Sequence, residues 1–150
     1  MRIGVPKEIK PQENRIGLTP DSVKTLVSEG HEVLVENNGG FEAGFDNDQY
    51  KNAGAKIIEK AADIFNDAEI IVKVKEPQKV EVEMIRENQI VYTYLHLAAA
   101  KELTEGLVKS KSINIAYETI TDDNGRLPLL APMSAVAVSY THLRAHETTC

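Results

Sequence analysis

Residues 90–103, "IVYTYLHLAAAKEL", join an apolar run to an alanine-rich segment, and a histidine stands at the junction. The run is short and rich in β-branched and aromatic residues, which is typical of a strand buried on both faces of a parallel sheet. The alanine-rich segment predicts a helix. A strand followed directly by a helix is the unit of an α/β fold.

The same alternation extends over most of the chain. Strands are predicted at 2–6, 31–37, 55–59, 69–75, 89–95 and 113–120. Helices are predicted at 19–30, 46–55, 61–68, 77–88 and 98–111. Strict alternation of the two predicts a doubly wound α/β domain, Rossmann-like or flavodoxin-like, around a mainly parallel sheet.

Two of the predicted helices carry start and stop signals. Thr19 is the expected N-cap of the first, and Gly30 is expected to end it. Asp46 and Gly54 have the same positions around the second. These signals divide the chain at the points where the apolar periodicity changes.

Composition excludes several function classes. The chain has 150 residues and a formal net charge of −6, without a cluster of basic residues, so a nucleic-acid-binding surface is not expected. No apolar run is long enough to span a membrane. The single cysteine, Cys150, leaves no internal disulfide, and the N-terminus lacks a targeting signal, so a cytoplasmic location is expected.

Three polar residues follow predicted strands at the edge where open α/β sheets bind ligands. Arg15 lies in the long loop after the first strand, Lys75 ends the fourth, and His96 follows the fifth. Each also has an ordinary structural interpretation, as a solvated arginine, a lysine emerging at a strand end and a capping or solvated histidine. Together they would form a site for a small carboxylate beside a group of near-neutral pKa that can transfer a proton.

The stretch "IIVKVKEP" contains two lysines with different expected roles. Alternation along a strand places Lys73 and Lys75 on one face. Because a lysine inside a buried strand needs a partner, Lys73 is expected to pair with a carboxylate. Lys75, nearer the end, is the candidate for a ligand contact.

Other common sites are not indicated. The glycines of "NGGFEAGF" do not have the spacing of a dinucleotide-binding fingerprint. His142 and His146 are four residues apart, but without a third ligand they do not predict a metal centre. We therefore expect no metal.

Four stretches in order resemble the alanine dehydrogenase family, in the group shared with nicotinamide nucleotide transhydrogenase. They are "RIGVPKEIKPQENRIGLTP", "IIVKVKEP", "YTYLHLAAAKELTEGL" and "AYETI…GRLPLLAPMS". The histidine in the third stretch and "LPLLAPMS" in the fourth favour the dehydrogenase over the transhydrogenase branch.

The resemblance implies roles for four residues. Arg15 would hold the substrate carboxylate, Lys75 would contact the substrate near its carbonyl oxygen, and His96 would be the catalytic acid/base. Ser134 would contact the cofactor. The implied reaction is the reversible, NAD-dependent oxidative deamination of L-alanine to pyruvate and ammonium, by an enzyme that is a homo-oligomer at full length.

The resemblance ends near residue 138. We expect residues 1–138 to form the substrate domain, the cofactor domain to be missing, and residues 139–150 to be a tail foreign to the family, of the kind that a sequencing artefact produces. Three hypotheses remain open: an incomplete alanine dehydrogenase that is inactive alone, a module that binds small carboxylates without catalysis, and an inert fragment.

Overall fold

The computed structural model describes residues 1–133 and 135 and, within them, six parallel strands in one sheet. The strands are β1 (Arg2–Val5), β2 (Glu32–Glu36), β3 (Lys56–Ile58), β4 (Ile70–Val72), β5 (Ile90–Thr93) and β6 (Ile113–Ala116). Each lies inside a predicted segment. Their order across the sheet is β3-β2-β1-β4-β5-β6, and every neighbouring pair is parallel. The predicted doubly wound α/β fold is confirmed.

The helices begin and end largely at the predicted signals. They are α1 (Pro20–Ser28), α2 (Asn47–Asn52), α3 (Ala61–Asp67), α4 (Lys79–Val82) and α5 (Lys101–Ser110), with 3₁₀ turns at Phe41–Ala43, Leu97–Ala99 and Tyr117–Thr119. Thr19 caps α1 by accepting the Ser22 N–H at 3.3 Å, and Asp46 caps α2 in a reciprocal capping box. Gly30 and Gly54 have positive φ just after these helices, as expected for C-terminal glycines.

The helix predicted over 77–88 is much shorter than expected. Only Lys79–Val82 is α-helical. The apolar residues Val80, Val82 and Met84 recur every second position, which does not place them on one face of a helix, and Val80 remains exposed.

Strand β4 also ends earlier than predicted, at Val72 rather than at Lys75. Hydrogen bonding to the β5 side continues beyond Val72. The Lys73 N–H donates to the Tyr92 carbonyl, and the Tyr94 N–H donates to the Val74 carbonyl. On the β1 side the Val74 N–H donates to the carboxylate of Glu8, at 2.6 Å, so a side chain replaces the strand partner there. Lys73 and Lys75 therefore lie in a segment beyond the strand.

The two faces of the sheet are covered by separate hydrophobic layers. Val33 and Val35 pack in the layer under α1 and α2, whereas Leu34 packs in the layer under α3 and α5, as strand alternation requires. Gly4 permits the close approach of α3 to β1, since an added Cβ would lie 2.5 Å from Ile64 Cγ2. Among the described residues, no helix is long and apolar enough to cross a membrane.

The strand order reverses between β1 and β4. The chain passes outward from β1 through β2 to β3, and then returns to place β4 on the other side of β1. In open α/β sheets the crevice at the carboxyl ends of two such strands is the usual ligand site. The loop that follows β1 and the segment that follows β4 therefore meet at the expected position.

Candidate functional site

The structure places the three predicted residues at one edge of the sheet. Arg15 follows β1, Lys75 follows β4 and His96 follows β5, which are consecutive strands in the sheet order. The segment after β4 is bonded to the end of β5, because Thr93 Oγ1 donates to the Lys75 carbonyl at 2.9 Å. The edge thus brings an arginine, a lysine and a histidine into neighbouring loops.

Arg15 is paired with a carboxylate two residues before it. Its Nε and Nη2 donate to the Glu13 carboxylate at 2.8 and 2.7 Å, and its backbone N–H donates at 3.0 Å. The Glu13 side chain is only 7% exposed, whereas that of Arg15 is 53% exposed. Hydrogen bonds from Arg15 lower the pKa of the Glu13 carboxyl, and the charge of Lys75 adds to the effect. Glu13 therefore stays ionised. The Nη1 group of Arg15 takes no part in this pairing and has no hydrogen bond to any residue in 1–133 or 135.

Lys73 has the carboxylate partner that the sequence predicted, and a second one. Its ammonium lies 2.9 Å from Glu8 Oε2 and 2.8 Å from Glu81 Oε1. The side-chain exposures are 0% for Lys73 and 2% for each glutamate. Burial raises the pKa of Glu81, although the ammonium opposes that change. This group of three residues, the buried triad, lies under the segment that carries Lys75.

The backbone around Lys75 is held from several sides. Glu8 Oε1 accepts the Val74 N–H at 2.6 Å and the Lys75 N–H at 3.4 Å. Tyr117 Oη donates to the Lys73 carbonyl at 2.9 Å. The Lys75 ammonium itself has no ion pair within the described part of the chain, and its side chain is half-buried. The ammonium is thus carried by a fixed backbone, and its charge acts on the nearby carboxyls of Glu13 and Glu76.

His96 has an unusual backbone conformation. Its φ and ψ are 49° and 44°, in the left-handed region that few residues other than glycine adopt. The Leu95 and His96 N–H groups donate to the same carboxylate, that of Glu118. Leu95 is buried, whereas His96 is exposed. The histidine therefore lies at the surface of the edge, on a tightly held turn.

Three tyrosines pack beneath these loops. The rings of Tyr92 and Tyr94 contact the ring of Tyr117 edge-on, with centroids 4.3 and 4.8 Å away. Burial raises the pKa of Tyr117, so its hydroxyl remains a donor over the whole physiological range. Tyr94 Oη donates to the Leu129 carbonyl. This cluster gives the site a rigid apolar floor.

Gly17 allows the loop that carries Arg15 to reach β4. A Cβ at this position would lie 2.5 Å from the Val72 carbonyl oxygen and 2.9 Å from its carbon. These are backbone atoms in a sheet and cannot move aside. A glycine is therefore required where this loop crosses the carboxyl end of β4.

The acidic residues of the edge were not predicted from the sequence. Glu8, Glu13 and Glu118 each hold the segment of one predicted site residue, and Gly17 sets the position of the first loop. Glu13 could have been noticed, because an acidic residue two positions from an arginine can reach its guanidinium. Nothing in the sequence identified Glu8 or Glu118, whose partners are distant along the chain.

One predicted contact of this site, Ser134 with the cofactor, lies outside the described residues. His142 and His146, which were not expected to bind a metal, also lie outside them. Among residues 1–133 and 135, no group of three or more histidine, cysteine, aspartate or glutamate side chains is arranged to hold a metal ion.

A groove in the described part of the chain lies elsewhere. It has a volume of about 860 Å³ and runs between α4 and α5, where Gly106 packs against Val82. None of the three predicted residues lines it. The edge that carries those residues has the charged and proton-transferring groups that a substrate site needs, whereas this groove has a mixed lysine and glutamate rim. We therefore place the candidate site at the edge.

Known proteins resemble this chain over the whole patterned region. The family model "Alanine dehydrogenase/PNT, N-terminal domain" matches residues 4–137. Alanine dehydrogenases of Staphylococcus epidermidis and Halomonas elongata are 50% and 51% identical over 137 residues, which is 91% of this chain and 37% of each relative.

Solved structures agree with these relatives. An L-alanine dehydrogenase superposes with a TM-score of 0.86 at 51% identity, over 89% of this chain and 37% of that one. A transhydrogenase from Sinorhizobium meliloti is more distant, with a TM-score of 0.76 at 27% identity, over 83% of this chain and 35% of that one. This chain spans just over a third of the length of the relatives that it matches, and it belongs to the alanine dehydrogenase/PNT N-terminal domain family.

Proposed function

We propose that this chain forms the substrate-binding part of an NAD-dependent L-alanine dehydrogenase, which interconverts L-alanine with pyruvate and ammonium. The observation that carries the proposal is that Arg15, Lys75 and His96 lie in the segments that follow three neighbouring strands, β1, β4 and β5, at the edge where the strand order reverses. The names of the relatives at about 50% identity support the same reaction. A homo-oligomeric, cytoplasmic enzyme is part of this proposal.

The edge fits a small carboxylate better than a dinucleotide. The first loop lacks the glycine fingerprint, and the one glycine of β1, Gly4, packs against α3. Charged residues, Lys7, Glu8 and Lys10, follow β1 instead. No binding cradle for a pyrophosphate is present in the described residues of this loop, so most contacts with NAD are assigned to the length of the relatives that this chain does not cover. Ser134 is the contact proposed from this chain.

Each of the three site residues has a defined task in the proposal. The free Nη1 side of Arg15 binds the substrate carboxylate and fixes its orientation. The Lys75 ammonium donates to the carbonyl oxygen of pyruvate and draws electron density from the carbon that ammonia attacks. NAD, when bound, accepts or supplies the hydride.

His96 handles the proton in both directions. When pyruvate is aminated, the carbonyl oxygen must leave as water, and a protonated imidazole can supply the proton. When alanine is oxidised, the neutral imidazole takes a proton from the attacking water. Imidazole is the side-chain group that can act as either acid or base near neutral pH. An exposed position at the edge lets the imidazole meet a substrate in the cleft.

The proposal can be tested in a chimera. The segment of this chain that aligns with S. epidermidis alanine dehydrogenase replaces the corresponding segment of that enzyme, and alanine-dependent reduction of NAD is measured. The proposal predicts turnover, and it predicts that His96→Gln lowers kcat by about 100-fold or more. His31→Gln, a change just before β2 at the opposite edge of the sheet, is the matched control and should leave kcat unchanged.

Two results would contradict the proposal. Parent-level turnover of the His96→Gln chimera would remove this residue from the chemistry. A chimera that folds and binds pyruvate without turnover would instead favour the non-catalytic binding module.

A further inference from the structure

The turn at His96 is held by a single carboxylate. Glu118 Oε1 accepts the His96 N–H at 2.7 Å and the Leu95 N–H at 3.0 Å, and Oε2 lies 3.3 Å from the Leu95 nitrogen. Two consecutive N–H groups are thus directed at one side chain.

The sheet register explains why Glu118 reaches this turn. Strands β5 and β6 are parallel, with Thr93 opposite Ala116. Two residues beyond this pair the chain reaches Leu95 on one side and Glu118 on the other. Glu118 lies in the 3₁₀ turn Tyr117–Thr119, which turns its side chain back toward β5.

The conformation that Glu118 holds is one that the chain would otherwise avoid. A left-handed conformation is unfavourable for a residue with a Cβ, and such residues persist only where surrounding contacts impose them. His96 has φ of 49°, and the 3₁₀ turn Leu97–Ala99 follows it directly. Leu95, buried on the other side, fixes the start of the turn.

We infer that Glu118 is a positioning residue, which sets the place of the His96 imidazole through two backbone hydrogen bonds. This inference rests on the proposed function for its effect on catalysis. Glu118 acts through the backbone, and the acceptor oxygen matters more than the negative charge. A glutamine keeps such an oxygen, whereas an alanine removes it.

The test uses the chimera described above with three variants. Glu118→Ala should lower kcat about 10- to 100-fold with little change in the KM for pyruvate, because a small displacement of a proton-transferring group affects the chemical step. Glu118→Gln should keep kcat within about threefold of the parent. Glu105→Ala, a change of an exposed glutamate on α5, is the control and should have no effect.

The inference is wrong if Glu118→Ala keeps the parent kcat, or if Glu118→Gln loses as much as Glu118→Ala. A structural readout separates this result from a failure of the proposed function. In the 150-residue chain, the amide protons of Leu95 and His96 should exchange with solvent faster in Glu118→Ala than in Glu118→Gln. If exchange is faster in Glu118→Ala but the parent chimera has no turnover, the proposed function fails, while the hydrogen bonds of Glu118 are verified. If the two variants exchange at the same rate, the inference fails.

Discussion

Removal of the Lys73 ammonium tests the most buried charges of the fold. The substitution Lys73→Met keeps the length and apolar stem of the side chain and deletes its charge. Glu8 and Glu81 then remain in a site where both side chains are 2% exposed, with no cation between them. Water cannot replace the lost partner without opening the packing around the segment after β4.

The size of the effect follows from the geometry of the buried triad. At an effective dielectric constant of about 20, each contact near 2.9 Å represents roughly 6 kcal/mol of attraction before dehydration of the charges is subtracted. Breaking a buried pair by removing one partner typically costs about 3–5 kcal/mol. We expect Lys73→Met to lower the free energy of unfolding by about 4 kcal/mol at pH 7. Since domains of this size are stable by about 5–15 kcal/mol, this loss is a large share of the total.

The loss should depend on pH in a defined direction. Without the ammonium, burial and mutual repulsion raise the folded-state pKa of the two carboxyls above the unfolded value. A carboxyl with a raised folded-state pKa costs stability once the pH exceeds its unfolded-state pKa, and the cost is complete above the folded-state pKa. The difference between wild type and Lys73→Met should therefore shrink as the pH falls through the raised folded-state pKa toward the unfolded value, which is about 4.3 for a glutamate.

Urea unfolding of the 150-residue chain, followed by far-ultraviolet circular dichroism, measures both effects. The chain contains no tryptophan, so fluorescence would report only on its tyrosines. Lys101→Met is the control, because Lys101 is 89% exposed and its pairing with Glu105 is loose, at 3.7 Å. A stability of Lys73→Met within about 1 kcal/mol of this control at pH 7 would refute the reasoning, as would a difference that grows on acidification.

Two further predictions concern other parts of the molecule. Gly17→Ala should raise the KM of the chimera for pyruvate about tenfold, because the new Cβ would meet the Val72 backbone and displace the loop that carries Arg15. Steady-state kinetics measure the KM, and an unchanged value would show that the loop tolerates the Cβ. Glu32, which accepts hydrogen bonds from Lys56 and Arg2, should titrate with a pKa of about 2. Since this pKa is depressed, the stabilising effect of Glu32 should be complete above the ordinary value of 4.5 and should disappear as the pH falls toward 2. Nuclear magnetic resonance of the carboxyl carbon measures the titration, and a midpoint near 4.5 would contradict the prediction.

Most of the fold could be predicted because its signals are local. Every strand lies in a short run of apolar, largely β-branched residues, and the caps Thr19 and Asp46 act on N–H groups three residues away. The exceptions arise where distant side chains intervene. Strand β4 ends at Val72 because the carboxylate of Glu8, which is 66 residues from Val74 in the sequence, takes the next N–H.

The site was predicted only in part, for a related reason. Arg15, Lys75 and His96 were identified because each follows a strand, and the carboxyl ends of parallel strands lie at one edge. The roles of these residues remain predictions. Glu8 and Glu118 could not be found in this way, because an isolated glutamate in a sequence resembles any solvated side chain. Their partners are fixed by strand order and register, which the sequence alone did not supply.

The reversal of the sheet explains why this edge needs carboxylates. Where β1 and β4 diverge, the N–H groups after β4 lose their strand partner, and a buried unpaired N–H costs about 1–3 kcal/mol. Glu8 from the β1 loop accepts these N–H groups, and its own charge then requires Lys73. Glu13 likewise neutralises much of Arg15. Within the described residues, the ammonium of Lys75 forms no ion pair, whereas Lys73 and Arg15 are each bonded to carboxylates of the edge. The backbone geometry at the reversal of the sheet thus accounts for the carboxylates found there, and we propose that the Lys75 ammonium is the group left for a substrate oxygen.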